Sequence, residues 1–171
     1  DVEYARALHL LGQIAIAEGD YPLARDLAQR VIELLGRNPQ ARPVDIGAAW
    51  HQLATAERFL GRFVEAETAA REAVTRIDAA TADGDLSRAM VRFNLAFVCI
   101  RAGKLQEAEQ VLSVALAIAD LPPHDRSTRA ISRAGSREAL QKAVIEEFGR
   151  RFIADVFVPA MQLPKGLPRL D

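Results

Sequence analysis

Two histidines and one cysteine are the residues with the widest range of chemistry in this chain. His9 and His51 are 42 residues apart, and two imidazoles in register could bind a metal ion or respond to pH. No third ligand continues the interval, and Cys99, the only cysteine, falls among apolar residues. We therefore predict no metal site, histidines that line a surface, and a buried, unreactive thiol in a reducing, cytoplasmic compartment.

Signatures of catalysis and of cofactor binding are absent from the sequence. There is no phosphate-binding glycine loop, no H-E-x-x-H and no nucleophile elbow, so we expect no enzyme activity and no cofactor. The acidic segment 83–85 lacks the ligand spacing of a calcium loop and instead suits a cap for the following helix. A net charge of −1 does not indicate nucleic-acid binding. No apolar run in the sequence is long enough to span a membrane.

The elements that must position these residues repeat at a fixed interval. Gly19, Gly61 and Gly103 are 42 residues apart. Each follows a leucine by eight residues and precedes an alanine by five: Leu11, Leu53 and Leu95, then Ala24, Ala66 and Ala108. Apolar residues recur at three- and four-residue steps on both sides of each glycine. This spacing predicts a helix, a tight turn and a second, antiparallel helix.

The pattern predicts six helices arranged as three pairs. We place them near residues 3–18, 22–35, 45–60, 63–80, 86–102 and 105–119. The three units are about 5–46, 47–88 and 89–125. A single pair is too thin to bury its own apolar face, so the pairs must stack, and about three or more repeats make a stable array.

These positions resemble the tetratricopeptide repeat, whose pattern is W-x2-L-G-x2-Y, a turn glycine and A-x3-F. The second unit matches at Trp50, Leu53, Gly61, Phe63 and Ala66, whereas Leu8 and Arg92 replace the tryptophan in the other two. The long period resembles the branch found in kinesin light chains and bacterial regulators. HEAT and armadillo repeats have similar periods but lack this turn. Over residues 5–120, the resemblance implies an all-α, right-handed α-solenoid.

The last fifty residues do not continue the repeat, because residue 145 is isoleucine where the next turn glycine would fall. Apolar residues at helical spacing predict a capping helix within 126–158, which would cover the last unit. Residues 159–171 contain three prolines and predict an extended apolar tail that docks in cis or on a second copy. The candidates for self-association are Phe148, Phe152, Val156 and Phe157.

In tetratricopeptide arrays, the first helix of each pair lines a concave groove that holds a peptide. The resemblance places in that groove Arg6, His9 and Gln13 from the first unit, His51, Gln52, Thr55 and Arg58 from the second, and Phe93, Asn94, Phe97 and Arg101 from the third. Steps of three and four residues make each set one stripe. Arginine suits carboxylates, amides suit peptide backbone, and aromatic rings suit an apolar anchor.

The expected function is therefore binding of an acidic and hydrophobic peptide or protein segment by one module of a larger protein, which fits Asp1 in place of an initiator methionine. The asparagines that grip chaperone C-termini are replaced by Leu10 and Gln52, so that ligand is not expected. Three alternatives remain. The stripe is only a solvated helix face, the chain is a homodimeric scaffold, or it is a peptide-sensing domain of a bacterial regulator.

Overall fold

The computed structural model describes residues 2–118, and within that range it consists of six α-helices without strands. The helices are α1 (Val2–Glu18), α2 (Tyr21–Gly36), α3 (Pro43–Phe59), α4 (Phe63–Ala80), α5 (Leu86–Arg101) and α6 (Leu105–Ile118). Each end lies within two residues of its predicted position, which confirms the three helix pairs of an all-α solenoid. The predicted capping helix in 126–158 and the tail 159–171 lie outside the described residues.

The turn inside each pair depends on a glycine in the left-handed conformation. Gly19, Gly61 and Gly103 have φ angles of 82°, 77° and 79°. The amide of the residue after each glycine donates to the carbonyl oxygen five residues earlier, at 2.8–2.9 Å in all three units. This bond closes the first helix and needs a backbone angle that side chains with a Cβ rarely adopt. The repeated glycine is thus a requirement of the backbone.

Acidic side chains cap the starts of two helices, α2 and α5. Asp20 accepts a hydrogen bond from the Leu23 amide at 3.1 Å, and Pro22 occupies the first turn of α2, where no amide is needed. Asp85 accepts from the Ser87 amide at 2.8 Å, which confirms the predicted cap on α5. The Ser87 hydroxyl also donates to the Asp85 carboxylate at 2.6 Å, and this bond, with that of the Ser87 amide, lowers the pKa of the Asp85 carboxyl.

Alanine brings the two helices of each pair into close contact. Ala24, Ala66 and Ala108 are almost completely buried at the predicted packing positions. Ala24 of α2 contacts Ala15 of α1 and Ala56 of α3 in one cluster, so α2 packs on both neighbouring first helices. Small side chains at these points leave room for close backbone approach, and the larger aliphatic residues fill the spaces on either side.

The stacking of pairs buries one face of α3 against α2 and the matching face of α5 against α4. Ala49 packs on Val31 and Leu35 of α2, and Val91 packs on Ile77 of α4. Leu53 and Leu95 lie on these faces and are buried. Their counterpart Leu11 is 51% exposed. The shared spacing predicted one packing role for all three leucines, and Leu11 differs because no described helix packs on that side of α1.

Two arginines secure the connection between α4 and α5. Arg88 donates to the carbonyl oxygens of Asp78 and Thr81 at 2.6 and 2.7 Å and contacts the carboxylate of Asp83. Arg92 forms a bidentate ion pair with Asp78, with N–O distances of 2.5 and 2.8 Å. Because the last carbonyl groups of a helix have no partners within it, the Arg88 guanidinium caps α4 and holds the loop 81–85.

We expect Arg88→Met, which keeps much of the aliphatic stem, to lower the free energy of unfolding by about 2 kcal/mol, since it leaves part-buried carbonyl groups without their charged donor. The matched control is Arg30→Met. Among residues 2–118, Arg30 pairs only with Glu33 on the exposed surface of α2, and the loss of this pair should cost less than about 0.5 kcal/mol. Urea unfolding of both variants measures the difference. Equal effects would show that Arg88 is not a structural cap.

Candidate protein-binding groove

The first helices of the three pairs contact one another along the described array. α1 contacts α3, and α3 contacts α5, more extensively than the second helices contact one another. An array that curves towards its first helices would have α1, α3 and α5 around a concave surface, and all the predicted groove residues lie on these three helices. The described residues include no helix long and apolar enough to cross a membrane.

Two buried amides connect successive first helices across the groove floor. Gln52 of α3 donates from Nε2 to the backbone oxygen of His9 at 3.2 Å, and Asn94 of α5 lies 3.5 Å from the backbone oxygen of His51. The two side chains are only 3% and 6% exposed. Gly12 makes room for the first contact, because a Cβ atom there would overlap the Gln52 amide. Gln52 and Asn94 thus bind this chain's own backbone and shape the groove floor.

Thr55, Arg58, Asn94 and Phe97 form one contact cluster between α3 and α5. Asn94 donates from Nδ2 to the Thr55 hydroxyl oxygen at 3.1 Å and accepts from Arg58 Nε at 3.2 Å. The Arg58 guanidinium carbon lies 5.4 Å from the centre of the Phe97 ring and 4.3 Å from that of Phe59. Both distances suit attraction between a cation and an aromatic face.

Arg58 carries a half-buried charge that no carboxylate among residues 2–118 neutralises. Burial lowers the pKa of its guanidinium. Tyr21 partly opposes this shift, and the positive charge of Arg101 makes a smaller contribution that lowers the pKa. The equivalent residues of the other units are Ile16 and Ile100, and Ile100 is fully buried. The second unit therefore places a cation at a packing position of the repeat. An anionic ligand would relieve the cost of that charge.

Aromatic side chains extend the surface on both sides of Arg58. Phe93 and Phe97 make an edge-to-face pair with ring centres 4.9 Å apart. Phe59, which is 49% exposed, stacks on Tyr21 at 4.5 Å. Sequence reasoning missed Phe59 and Tyr21, because the repeat template assigns them to a helix end and a turn. The adjacent arginine and phenylalanine just before Gly61 were the signal that could have identified Phe59.

The remaining predicted groove residues occupy the two ends of the surface. Arg6 pairs with Glu3 at 2.7 Å and approaches Asp45 of α3 at 3.8 Å, so its charge is partly balanced. Gln13 donates to the ring Nε2 of His9 at 3.1 Å. At the other end, Arg101 lies over the ring of Phe63, at 5.1 Å. The structure thus brings the second and third stripes together and leaves Arg6 in a separate ion-pair network.

Both groove histidines are neutral at pH 7. Burial lowers the pKa of His51 to about 4, and the positive charges of Arg58 and of a protonated His9 add to the effect. Burial also lowers the pKa of His9, against smaller opposing contributions from Gln52 and Asp45. Within residues 2–118, no three histidine, cysteine or acidic side chains come together as a metal site would require. Cys99 is completely buried, and burial raises the pKa of its thiol to about 11.

We expect the stability of the fold to decrease as the pH falls from 7.5 to 5. The unfolded chain protonates His51 near pH 6.5, whereas the folded chain resists protonation down to about pH 4. The contribution of His51 to the free energy of unfolding is therefore at its full value above about pH 6.5. It decreases by about 2 kcal/mol by pH 5, because the unfolded chain binds a proton that folded His51 does not. Urea unfolding of His51→Gln at both pH values should show a correspondingly smaller loss. An identical loss in wild type and variant would contradict the assignment.

Comparison with known proteins agrees with this architecture. Models described as tetratricopeptide repeat match residues 5–30 and 45–120, which together make up more than half of the chain. The chain is similar to a crystal structure of nearly identical TPR-like repeats from a Podosopora anserina protein assigned as a kinesin light chain. The TM-score is 0.64 at 21% identity, over 98% of this chain and 81% of that one.

A second crystal structure, of a single-residue variant of the same fungal protein, gives a TM-score of 0.63 at 21% identity, over 98% of this chain and 80% of the other. No curated protein matches the chain significantly. Tetratricopeptide repeats generally mediate protein–protein interactions and form non-catalytic scaffolds. With three glycine-turned helix pairs and two matching family models, this chain belongs to the tetratricopeptide repeat family.

Proposed function

We propose that this chain is a module of a larger protein and binds, in the groove of α1, α3 and α5, a peptide or protein segment with carboxylates beside a hydrophobic residue. The observation that carries the proposal is the half-buried Arg58 guanidinium, which has no carboxylate partner among the described residues. A ligand carboxylate next to Arg58 would form a charge-assisted hydrogen bond in surroundings already depleted of water.

The surroundings of Arg58 support a mixed ligand. Arg58 Nε donates to Asn94, and no hydrogen bond to another residue of 2–118 uses the two terminal nitrogens of the guanidinium, which could therefore bind a carboxylate. The ring centres of Phe59 and Phe97 lie within 5.4 Å of the guanidinium carbon, and the exposed part of Phe59 could contact a hydrophobic side chain of the ligand. His9 and His51 contribute no positive charge at pH 7, because burial lowers the pKa of each. Selection of acidic residues then depends on arginine.

The decisive experiment is a screen of the purified chain against an array of random peptides, followed by charge reversal at the groove. We expect peptides with acidic and aromatic residues to bind. Arg58→Glu with Arg101→Glu should weaken them at least about tenfold, because each replaces a favourable contact to a carboxylate with repulsion. Helical content should stay near that of wild type. Unchanged affinity in a folded double variant would exclude the groove.

Two controls separate recognition from general electrostatics. Arg30→Glu with Arg37→Glu makes the same change in net charge on α2 and the residue after it, where both side chains are exposed, and should leave affinity nearly unchanged. Arg58→Lys retains the charge but loses the planar group that stacks between the rings, so we expect intermediate binding. Equal losses in the two double variants would indicate long-range charge attraction only.

A further inference from the structure

The surface of α1 that points away from α2 and α3 is apolar and exposed. We call it the α1 outer face, and it consists of Tyr4, Ala7, Leu10, Leu11 and Ile14. The four larger side chains are 51–58% exposed. Steps of three and four residues place them on one side of the helix. Isolated apolar side chains on a surface are ordinary, but a continuous stripe of four is not.

Repeat symmetry shows what covers this face elsewhere in the array. The residues one 42-residue period after Ala7, Leu11 and Ile14 are Ala49, Leu53 and Ala56 of α3, and all three are at most 8% exposed. The residues two periods on are Val91, Leu95 and Val98 of α5, at most 5% exposed. The covering element in both cases is the second helix of the preceding pair, α2 or α4.

Leu10 also occupies a position that is buried in the next two units. It stands where Gln52 and Asn94 stand in the next two units, and both amides are buried against the preceding first helix. The terminal unit of a solenoid normally has a polar outer face, because nothing stacks on it. A leucine at this position, beside Leu11 and Ile14, is instead typical of a unit with a neighbour on each side.

We infer that the α1 outer face is the stacking site for the second helix of a further repeat, which precedes α1 in the same polypeptide. That helix has the chemistry of α2, which presents Leu27, Val31 and Leu35 at four-residue steps to the core it shares with Ala49. One 42-residue period before Gly19, Ala24 and Val31, the polypeptide then has a glycine, an alanine and an aliphatic residue.

The test compares the full-length polypeptide of the natural gene with the 171-residue chain by hydrogen exchange. We expect the amides of α1 to exchange at least about tenfold more slowly in the longer protein, since stacking opposes local opening. Equal exchange rates would overturn the inference. A coding sequence that starts close to Asp1, or that lacks the glycine, alanine and aliphatic pattern, would also overturn it.

Substitution on the face supplies a second measurement. Leu11→Glu with Ile14→Glu should lower the Tm of the first repeats in the full-length protein by about 5 °C or more and leave the shorter chain nearly unchanged. The matched control is Leu23→Glu with Val64→Glu, two exposed aliphatic residues of α2 and α4, with little effect in either protein. If the 171-residue chain sediments as a dimer and Leu11→Glu with Ile14→Glu dissociates it, the α1 outer face binds a second copy of the chain and the inference fails.

Discussion

Burial of each first helix against the second helix of the pair before it is the contact on which this fold depends. A helix pair of about forty residues cannot enclose a core, so its apolar residues become buried only when another pair stacks on them. Ala56 shows how close that contact is, because it meets Ala15 and Ala24 in one cluster. The spacing of the first helices, and therefore the floor of the groove, follows from this repeated interface.

The sequence predicted the regular part of the molecule well, since regularity is what a repeat makes visible. Three glycines at a constant interval located the turn inside each pair, and alanine five residues later located the close contact within each pair. Packing at the start of the array could not be read in the same way. Leu11, Leu53 and Leu95 are the same residue type at the same position, and only their neighbours make the first exposed and the others buried.

The candidate site was harder to predict, because its character comes from departures from the repeat. Arg58 replaces an isoleucine of the other units, and Glu57 beside it replaces Ala15 and Cys99. Glu57 is 3% exposed, and burial raises the pKa of its carboxyl despite Arg62 at 3.9 Å. Two adjacent charges thus occupy packing positions in the second unit. The family pattern does not specify such residues, whereas comparison of the three units with one another identifies them.

The two amides on the groove floor have a mechanical consequence. Gln52 and Asn94 tether the backbones of neighbouring first helices. Spreading the helices would pull these donors away from their acceptors and leave buried polar groups without partners. The side of the array formed by the first helices is therefore stiff to opening. On the second helices, the contacts of Arg71 with Glu107 and of Lys104 with Glu67 link neighbouring pairs, but they are exposed, so water can replace them. For the ligand proposed above, the cleft would already be set at one width, so little of its binding energy would be spent on reshaping the receptor.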